Sequence, residues 1–192
     1  MRHRYHPDAV PTVERSPYVI TTIPPHPQLI VEVGCGKGQF LINQARKNPE
    51  KSFVGIEQSA QALYRAVCQA EDQQLNNIAF VWGNIDDVLD TLPSPIDTMY
   101  LLFSDPWPKA RHEKRRLTTV NRLNRYAKHG VQRLIFKTDN YDLFEYSVES
   151  VNQSLFTLVE SGEAPYVEGE TTEFEDKYRL LQKPIYQLEA KV

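Results

Sequence analysis

Short apolar runs alternate with segments of helical periodicity along most of this 192-residue chain. Five of the runs have the length and composition of buried strands, and they cover residues 29–33, 53–56, 78–82, 96–103 and 131–136. Apolar spacing predicts helices after residue 38, after residue 57, and over roughly 114–128 and 141–153. Two late strands, at about 155–160 and 184–190, flank an acidic loop. The alternation predicts an α/β fold with a mostly parallel, seven-stranded sheet and helices on both faces.

Polar and glycine residues follow the predicted strands where each strand ends. They are Glu32–Gly38, Glu57, Asn84, Asp105 and Asp139. Ligands of parallel sheets bind at the carboxyl ends of the strands, near the point where the strand order switches. We therefore expect these residues to line one rim of the sheet.

The composition, with 41% hydrophobic and 24% charged residues, is that of an ordinary globular protein. The length predicts a single domain over residues 28–192, preceded by a proline-rich, irregular N-terminal arm over residues 1–27. No apolar run approaches the roughly 18 residues of a membrane span, and the N-terminus lacks the apolar core of a signal peptide. Cys35 and Cys68 stand alone, which favours a reducing cytoplasm and no metal site. No membrane partner is expected.

Charge is unevenly distributed along the chain. Residues 109–128 contain eight basic residues and one acidic residue, a net of +7, whereas the whole chain carries −3. Residues 140–192 contain four basic and eleven acidic residues. The basic stretch is either a solvated helix face or a patch that binds phosphates, and its local field matters more than the net charge.

A glycine turn follows the first predicted strand. Its spacing, Gly34-x-Gly36-x-Gly38, differs from the GxGxxG that binds a dinucleotide pyrophosphate. Glu57 lies about twenty residues further on, where an acid accepts hydrogen bonds from ribose hydroxyls. Glu32, just before the turn, would repel a pyrophosphate but would bind an ammonium group. A ligand with a ribose and an amino-acid end but no phosphate fits S-adenosylmethionine better than NAD.

The segment from Phe103 to Leu117, FSDPWPKARHEKRRL, is the most informative in the chain. Two prolines fix the backbone around Trp107, and Asp105 opens the loop at the end of a strand. A basic cluster follows directly, so a nucleic acid could lie across this loop with a base stacked on the tryptophan. The alternative is a rigid surface loop in front of a solvated helix.

The sequence resembles the bacterial tRNA (guanine-N7-)-methyltransferases, most closely the shorter Gram-positive type. The matching segments, in order, are MRHRYHPDA, EVGCGKGQF, GIE, FSDPWPKARHEKRRL, FKTDNYDLFEYS, TTEFEDKY and PIYQLE. The resemblance implies a Rossmann-like fold of the class I S-adenosylmethionine-dependent methyltransferases. It also implies that the enzyme methylates the variable-loop guanosine at position 46 of tRNA.

The resemblance also implies roles for individual residues. The cofactor would be bound by Glu32, Glu57 and Asn84, together with the turn glycines Gly34 and Gly36. Asp105 would lie beside the sulfonium, as the catalytic residue and a cofactor contact. The tRNA substrate would contact Lys109, Asp139, Thr172, Glu173, Phe174 and Glu175. Glu173 and Glu175 lie in an acidic segment, for which a mobile, solvated loop is the default, and without the resemblance they would have no assigned role.

Asn84 departs from the family, in which this position is often Asp. It either hydrogen-bonds the adenine or only caps the next helix, and Asp86 is a possible substitute at the cofactor. The connection at Lys128–Val131 and the stretch before the first strand are also shorter than usual in the family.

Guanine N7 carries an in-plane lone pair and no proton, so methyl transfer to it needs no general base. Asp105 is expected to accept hydrogen bonds from the guanine N1–H and N2–H and to stabilise the positive charge that develops. Asp139 either shares this role or caps the helix after the fifth strand. A predicted phosphate patch comprises Arg111, Lys114, Arg115 and Arg116, and Lys109 acts in the same way.

Three other functions compete with this prediction. A class I methyltransferase could act on another RNA base or on a small molecule, although the basic stretch argues against the small molecule. A non-catalytic RNA-binding protein on a Rossmann scaffold would not need the acidic residues at the strand ends. A nicotinamide dehydrogenase is disfavoured by the glycine spacing. The sequence leaves monomer and homodimer both open.

Overall fold

The computed structural model describes residues 5–168 and 171–192. Residues 1–4 of the predicted arm and residues 169–170 lie outside this part of the chain. The chain divides into two compact units, one ending at Pro93 and the other beginning at Ser94.

The first unit contains three parallel strands in the order β3-β2-β1. The strands are β1 (Leu29–Val33), β2 (Ser52–Glu57) and β3 (Ile78–Trp82). Its helices are α1 (Ala9–Arg15), α2 (Gln39–Lys47), α3 (Ala60–Asp72) and α4 (Ile85–Val88), the last followed by a 3-10 turn at Leu89–Thr91. Every residue of β1 is buried, as expected of a strand that is covered on both faces. The strands predicted at 29–33, 53–56 and 78–82 are confirmed.

The N-terminal arm is not irregular throughout, because Ala9–Arg15 form the helix α1. Its apolar residues Ala9 and Val13, four positions apart, are fully buried. Just before the helix, the His6 backbone N–H donates to Gln61 Oε1 on α3 at 2.7 Å, and Gln61 Nε2 donates back to the His6 carbonyl at 3.1 Å. The prediction of an irregular arm is therefore wrong for this segment, which folds by packing on α3.

The second unit contains four strands in the order β4-β5-β7-β6. The strands are β4 (Ile96–Leu102), β5 (Val131–Thr138), β6 (Thr157–Glu163) and β7 (Tyr186–Lys191). β4 and β5 are parallel, whereas β7 is antiparallel to both β5 and β6. The helices are α5 (Val120–His129), α6 (Tyr141–Asn152) and α7 (Glu173–Leu180), and a 3-10 helix covers Ala110–Arg115. The strands of both units together confirm the predicted mostly parallel, seven-stranded α/β class.

Two predicted segments of the second unit differ from the structure. The single basic helix expected over 114–128 is divided, because the backbone at Arg116 is extended and α5 begins only after Thr119, whose hydroxyl caps it. The acidic stretch between the late strands is not only loop. It contains α7, which Thr172 caps by accepting the Glu175 backbone N–H at 3.1 Å.

No helix among the residues that the structure describes is both long and apolar enough to cross a membrane. Whether residues 28–192 act as one domain stays a prediction.

Candidate active site

The glycine turn after β1 has a backbone that other residues rarely adopt. Gly34, Gly36 and Gly38 have φ angles of +76°, +56° and +74°. A Cβ at Gly34 or Gly36 would meet no atom within 4 Å, so the turn leaves open space in front of these two residues. A Cβ at Gly38 would lie 2.8 Å from Cβ of Ala66 on α3. The first two glycines therefore let a ligand approach the backbone, and the third lets the turn pack on a helix.

Glu57, at the end of β2, is fixed by two backbone donors. Its Oε2 accepts the Gly36 N–H at 3.0 Å and its Oε1 accepts the Ser59 N–H at 2.7 Å. A carboxylate oxygen accepts more than one hydrogen bond, so each oxygen keeps capacity for a ligand hydroxyl. The carboxylate is thus held in one orientation beside the glycine turn, as a ribose-binding acid requires.

Glu32, on β1, is a buried carboxyl group with an unsatisfied atom. Its Oε2 has no hydrogen-bond partner among the described residues. Burial, and secondarily the negative charge of Glu57, raise the pKa of Glu32 well above its usual range. A buried carboxylate oxygen without a partner is costly, and a cationic ligand group would offset that cost. The same burial raises the pKa of the neighbouring Cys35 thiol.

These residues fit S-adenosylmethionine. The unsatisfied Glu32 oxygen suits an ammonium group, the oriented Glu57 carboxylate suits ribose hydroxyls, and the open glycine turn suits a ligand close to the backbone. The two carboxylates in the same unit would repel a pyrophosphate, which disfavours a dinucleotide. No group of three or more metal-ligating side chains is found in the described ranges 5–168 and 171–192.

Asn84 caps a helix. Its side-chain oxygen accepts the Asp86 backbone N–H at 3.0 Å at the start of α4. The capping interpretation is confirmed, and binding of the adenine by the Asn84 amide group stays a prediction. Asp86 lies in the first turn of α4 and is half-buried, so an additional role at the cofactor also stays a prediction.

Asp105, in the second unit, is exposed on a loop with a strained backbone at either side. Phe103 has a φ of +52° and Trp107 a φ of +42°, both in the left-handed region that bulky residues avoid. Such residues cost about 1–3 kcal/mol each, and they persist where the surroundings fix them, often at active sites.

The start of this loop packs against α7. The Phe103 N–H donates to the carbonyl of Lys137 at 2.8 Å. Its ring lies 6.2 Å from that of Phe174 and 6.1 Å from that of Tyr178, measured between centroids. Phe174, which the resemblance predicts to contact tRNA, thus packs on Phe103 at the start of the loop that carries Asp105, and its contact with tRNA stays a prediction.

The predicted phosphate patch divides into exposed and engaged side chains. Lys109, Arg111, Lys114 and Arg115 are exposed. The guanidinium of Arg115 lies 4.8 Å above the Trp107 ring. Arg116 does not belong with them, because its guanidinium donates to the carbonyls of Pro106 and Trp107 at 3.1 and 3.2 Å. A guanidinium committed to the protein backbone is a poor phosphate ligand, so the assignment of Arg116 to the patch is corrected.

Asp139 does not cap α6. The cap is Asn140, whose side-chain oxygen accepts the Leu143 backbone N–H at 2.8 Å. Asp139 instead interacts with Tyr178, and burial together with the Asp139 carboxylate raises the pKa of that tyrosine. The capping alternative is therefore wrong, and a substrate role for the half-exposed Asp139 stays a prediction.

Glu175 is fully buried and paired with two cations. Its side chain has 0% exposure, and its oxygens lie 3.2 Å from Lys137 Nζ and 2.6 Å from Arg179 Nη2. The residue therefore lies in a helix and not in a solvated loop, and its complete burial argues against contact with tRNA, which stays a prediction. Thr172, the cap of α7, is buried as well, whereas Glu173 is half-exposed.

Sequence reasoning missed Lys137, Arg179 and Tyr146 as parts of this region. The one available signal was the spacing of Glu175 and Arg179, which places them on one helix face at i and i+4. Nothing in the sequence joined Glu175 to Lys137, 38 residues away. Of the residues expected at the rim of the sheet, the first unit contains Glu32, Glu57 and Asn84, and the second contains Asp105 and Asp139. Their arrangement along one rim stays a prediction.

Solved structures of methyltransferases share this fold. The 16S rRNA methyltransferase KamB superposes with a TM-score of 0.68 at 12% identity, covering 87% of this chain and 88% of that one. The precorrin-6y C5,15-methyltransferase of Geobacter metallireducens gives 0.60 at 13% identity, covering 96% and 88%. This likeness confirms the predicted Rossmann-like fold of the class I methyltransferases.

The particular family follows from sequence comparison. Residues 26–188 match the family described as "Putative methyltransferase". The tRNA (guanine-N(7)-)-methyltransferase of Limosilactobacillus fermentum is 41% identical, covering 99% of this chain and 98% of the relative. The enzyme of the same name from Bacillus subtilis is 40% identical, covering 83% and 78%. The chain belongs to the tRNA (guanine-N(7)-)-methyltransferase family, which confirms the predicted enzyme class.

Proposed function

We propose that this enzyme transfers the methyl group of S-adenosylmethionine to N7 of guanosine 46 in the variable loop of tRNA, giving 7-methylguanosine. The observation that carries the proposal is the exposed Asp105 carboxylate, on a strained loop followed directly by exposed cations. Relatives named for guanine-N7 methylation of tRNA, at about 40% identity, support the same substrate.

The first unit would hold the methyl donor. S-adenosylmethionine supplies an electrophilic methyl group on a sulfonium. Glu57 would accept hydrogen bonds from its ribose hydroxyls, and Glu32 would pair with its ammonium group. Gly34 and Gly36 would let it approach the backbone, and Asn84 would bind its adenine through the amide group that the helix cap does not use.

The second unit would orient the guanine. N7 is nucleophilic without losing a proton, so no residue has to act as a general base. Asp105 would accept hydrogen bonds from N1–H and N2–H, which fixes the plane of the ring. Its negative charge would also stabilise the positive charge that the purine gains in the transition state. Asp139 would assist as a second acceptor.

The exposed cations would bind the tRNA backbone. Lys109, Arg111, Lys114 and Arg115 lie on the segment that follows Asp105. Phosphate contacts of this kind give affinity that falls with salt, and they position the RNA without reading its sequence. The acidic residues elsewhere in the chain would limit indiscriminate binding. Glu173 and Asp139 would then contact bases or 2′-hydroxyls.

Position 46 is tested with two unmodified tRNA transcripts that differ only at that nucleotide. We expect methyl incorporation from labelled S-adenosylmethionine into the transcript with guanosine 46 and none into the transcript with adenosine 46. Equal incorporation into both would exclude position 46, and tRNA binding without incorporation into either would favour a non-catalytic RNA-binding protein. A cytoplasmic location, and a monomer or homodimer, stay predictions from the sequence.

A further inference from the structure

We propose that Arg116 is a positioning residue that holds the Asp105 loop in its working conformation. The inference rests on the proposed function, in which Asp105 binds and orients the guanine. Arg116 Nε donates to the Pro106 carbonyl at 3.1 Å, and Arg116 Nη2 donates to the Trp107 carbonyl at 3.2 Å. One planar guanidinium thus spans the two peptide carbonyls that directly follow Asp105.

The loop needs such a clamp because its backbone is strained and poor in donors. Trp107 has a φ of +42°, which an aromatic residue adopts only when neighbouring groups hold it there. Pro106 and Pro108 lack backbone N–H groups, so this stretch offers few hydrogen bonds of its own. The two bonds from Arg116 compensate for this deficit at the residue with the positive φ.

Arg116 is itself held from the opposite side. Its guanidinium carbon lies 4.3 Å from the ring centroid of Tyr146 on α6. The Tyr146 hydroxyl in turn donates to Glu113 at 3.0 Å. The Arg116 carbonyl accepts from Arg122 Nη1 at 2.9 Å, and the same nitrogen donates to the Arg115 carbonyl at 2.7 Å. The side chain and backbone of Arg116 are therefore fixed by α5, α6 and the 3-10 helix.

A role as phosphate ligand conflicts with this geometry. Turning the guanidinium to an RNA phosphate would remove both donors from the Pro106 and Trp107 carbonyls and separate it from Tyr146. Its neighbour Lys114, in contrast, is exposed and free to face RNA without disturbing the loop. Two basic residues of the same motif, Lys114 and Arg116, therefore have different roles although they carry the same charge.

The conservative substitution Arg116→Lys separates the two roles. Lysine keeps the charge but has no planar fork and stacks poorly on an aromatic ring. If Arg116 positions the loop, R116K lowers the single-turnover methylation rate at saturating tRNA by about 100-fold, the effect of a misplaced reacting group. The affinity for S-adenosylmethionine stays within twofold. The slope of log Kd for tRNA against log salt stays unchanged, because no phosphate contact is lost.

Lys114→Gln is the matched comparison. It removes a proposed phosphate contact, so the slope of log Kd for tRNA against log salt falls by about one. If R116K keeps the parent rate and Arg116→Gln lowers the salt slope by about one, Arg116 is a phosphate ligand and the inference is overturned.

A spectroscopic measurement tests the clamp without RNA. Trp107 and Trp82 are the only tryptophans, so Trp82→Phe leaves Trp107 as the single source of tryptophan fluorescence, which is excited selectively over the tyrosines. In this background, R116K and Tyr146→Leu should each increase quenching of Trp107 by acrylamide at least twofold, with the far-UV circular dichroism of the parent. Quenching equal to that of the parent in both folded variants would overturn the clamp. This readout keeps its meaning even if the enzyme methylates a substrate other than tRNA.

Discussion

The Oε2 atom of Glu57 accepts the backbone N–H of Gly36 at 3.0 Å. This bond ties the carboxylate at the end of β2 to the turn that follows β1, so the side chain proposed to bind the ribose also orders the backbone beside it. We predict that Glu57→Ala weakens S-adenosylmethionine binding by about 10–100-fold, the value of one or two charge-assisted hydrogen bonds. Isothermal titration calorimetry measures this, and Glu50→Ala, an exposed carboxylate of the same unit, is the control. Equal affinity for both variants would contradict the assignment.

The raised pKa of Glu32 predicts that cofactor binding releases protons. Burial raises the pKa of this carboxyl first, and the charge of Glu57 adds to it, so the free protein keeps the proton at a higher pH than an exposed glutamate does. The ammonium group of S-adenosylmethionine favours the ionised form, so binding expels protons at pH values below that raised pKa. Because the folded state binds the proton more tightly, the free protein also loses stability as the pH rises through this range.

Calorimetry in two buffers with different ionisation enthalpies counts the protons released. Glu32→Gln should bind the cofactor more weakly and release fewer protons than the parent. Identical proton counts for the two proteins would show that Glu32 does not titrate with binding.

Asp105→Asn should reduce methylation while cofactor binding persists. The amide keeps the size of the side chain but removes its charge and half of its acceptor capacity, so we expect a loss of about 100-fold in the single-turnover rate. The control is Asp142→Asn, an exposed acid on α6. Single-turnover rates equal to the parent for Asp105→Asn would refute its role in orienting the guanine.

Glu175→Gln should destabilise the second unit. Its carboxylate is fully buried between Lys137 and Arg179, and a neutral amide leaves both cations without a counter-charge. Breaking a buried ion pair in this way costs about 3–5 kcal/mol of the free energy of unfolding. Urea denaturation measures the change, and Glu160→Gln on the exposed strand β6 should alter it by about 0.5 kcal/mol or less. Equal stabilities would mean that the pairing around Glu175 contributes nothing to the fold.

The parts of the fold predicted best are those specified by local pattern. β1 is a continuous apolar run that ends in glycines, so its bounds at Leu29 and Val33 follow from the residues themselves. The division of the basic segment into two helices was harder to predict from the sequence, since the break depends on the Thr119 cap and on the extended backbone at Arg116. The number of charges in the segment does not distinguish Arg116, which donates hydrogen bonds to backbone carbonyls, from Lys114, which is exposed to solvent.

The role of Glu175 could not be predicted for a related reason. An acidic stretch is normally solvated, and the burial of this residue depends on Lys137 from a strand 38 residues earlier. The candidate cofactor residues were easier to predict from the sequence. Their chemistry depends on short-range spacing, such as Glu32 two residues before Gly34, and on an acid at the end of the next strand.

The most direct test of the proposed function is the identity of the methylated nucleoside. The enzyme is incubated with labelled S-adenosylmethionine and an unmodified tRNA transcript, and the RNA is digested to nucleosides and analysed by chromatography and mass spectrometry. We predict 7-methylguanosine as the labelled product. A different methylated nucleoside, or no label in the RNA, would contradict the proposed function.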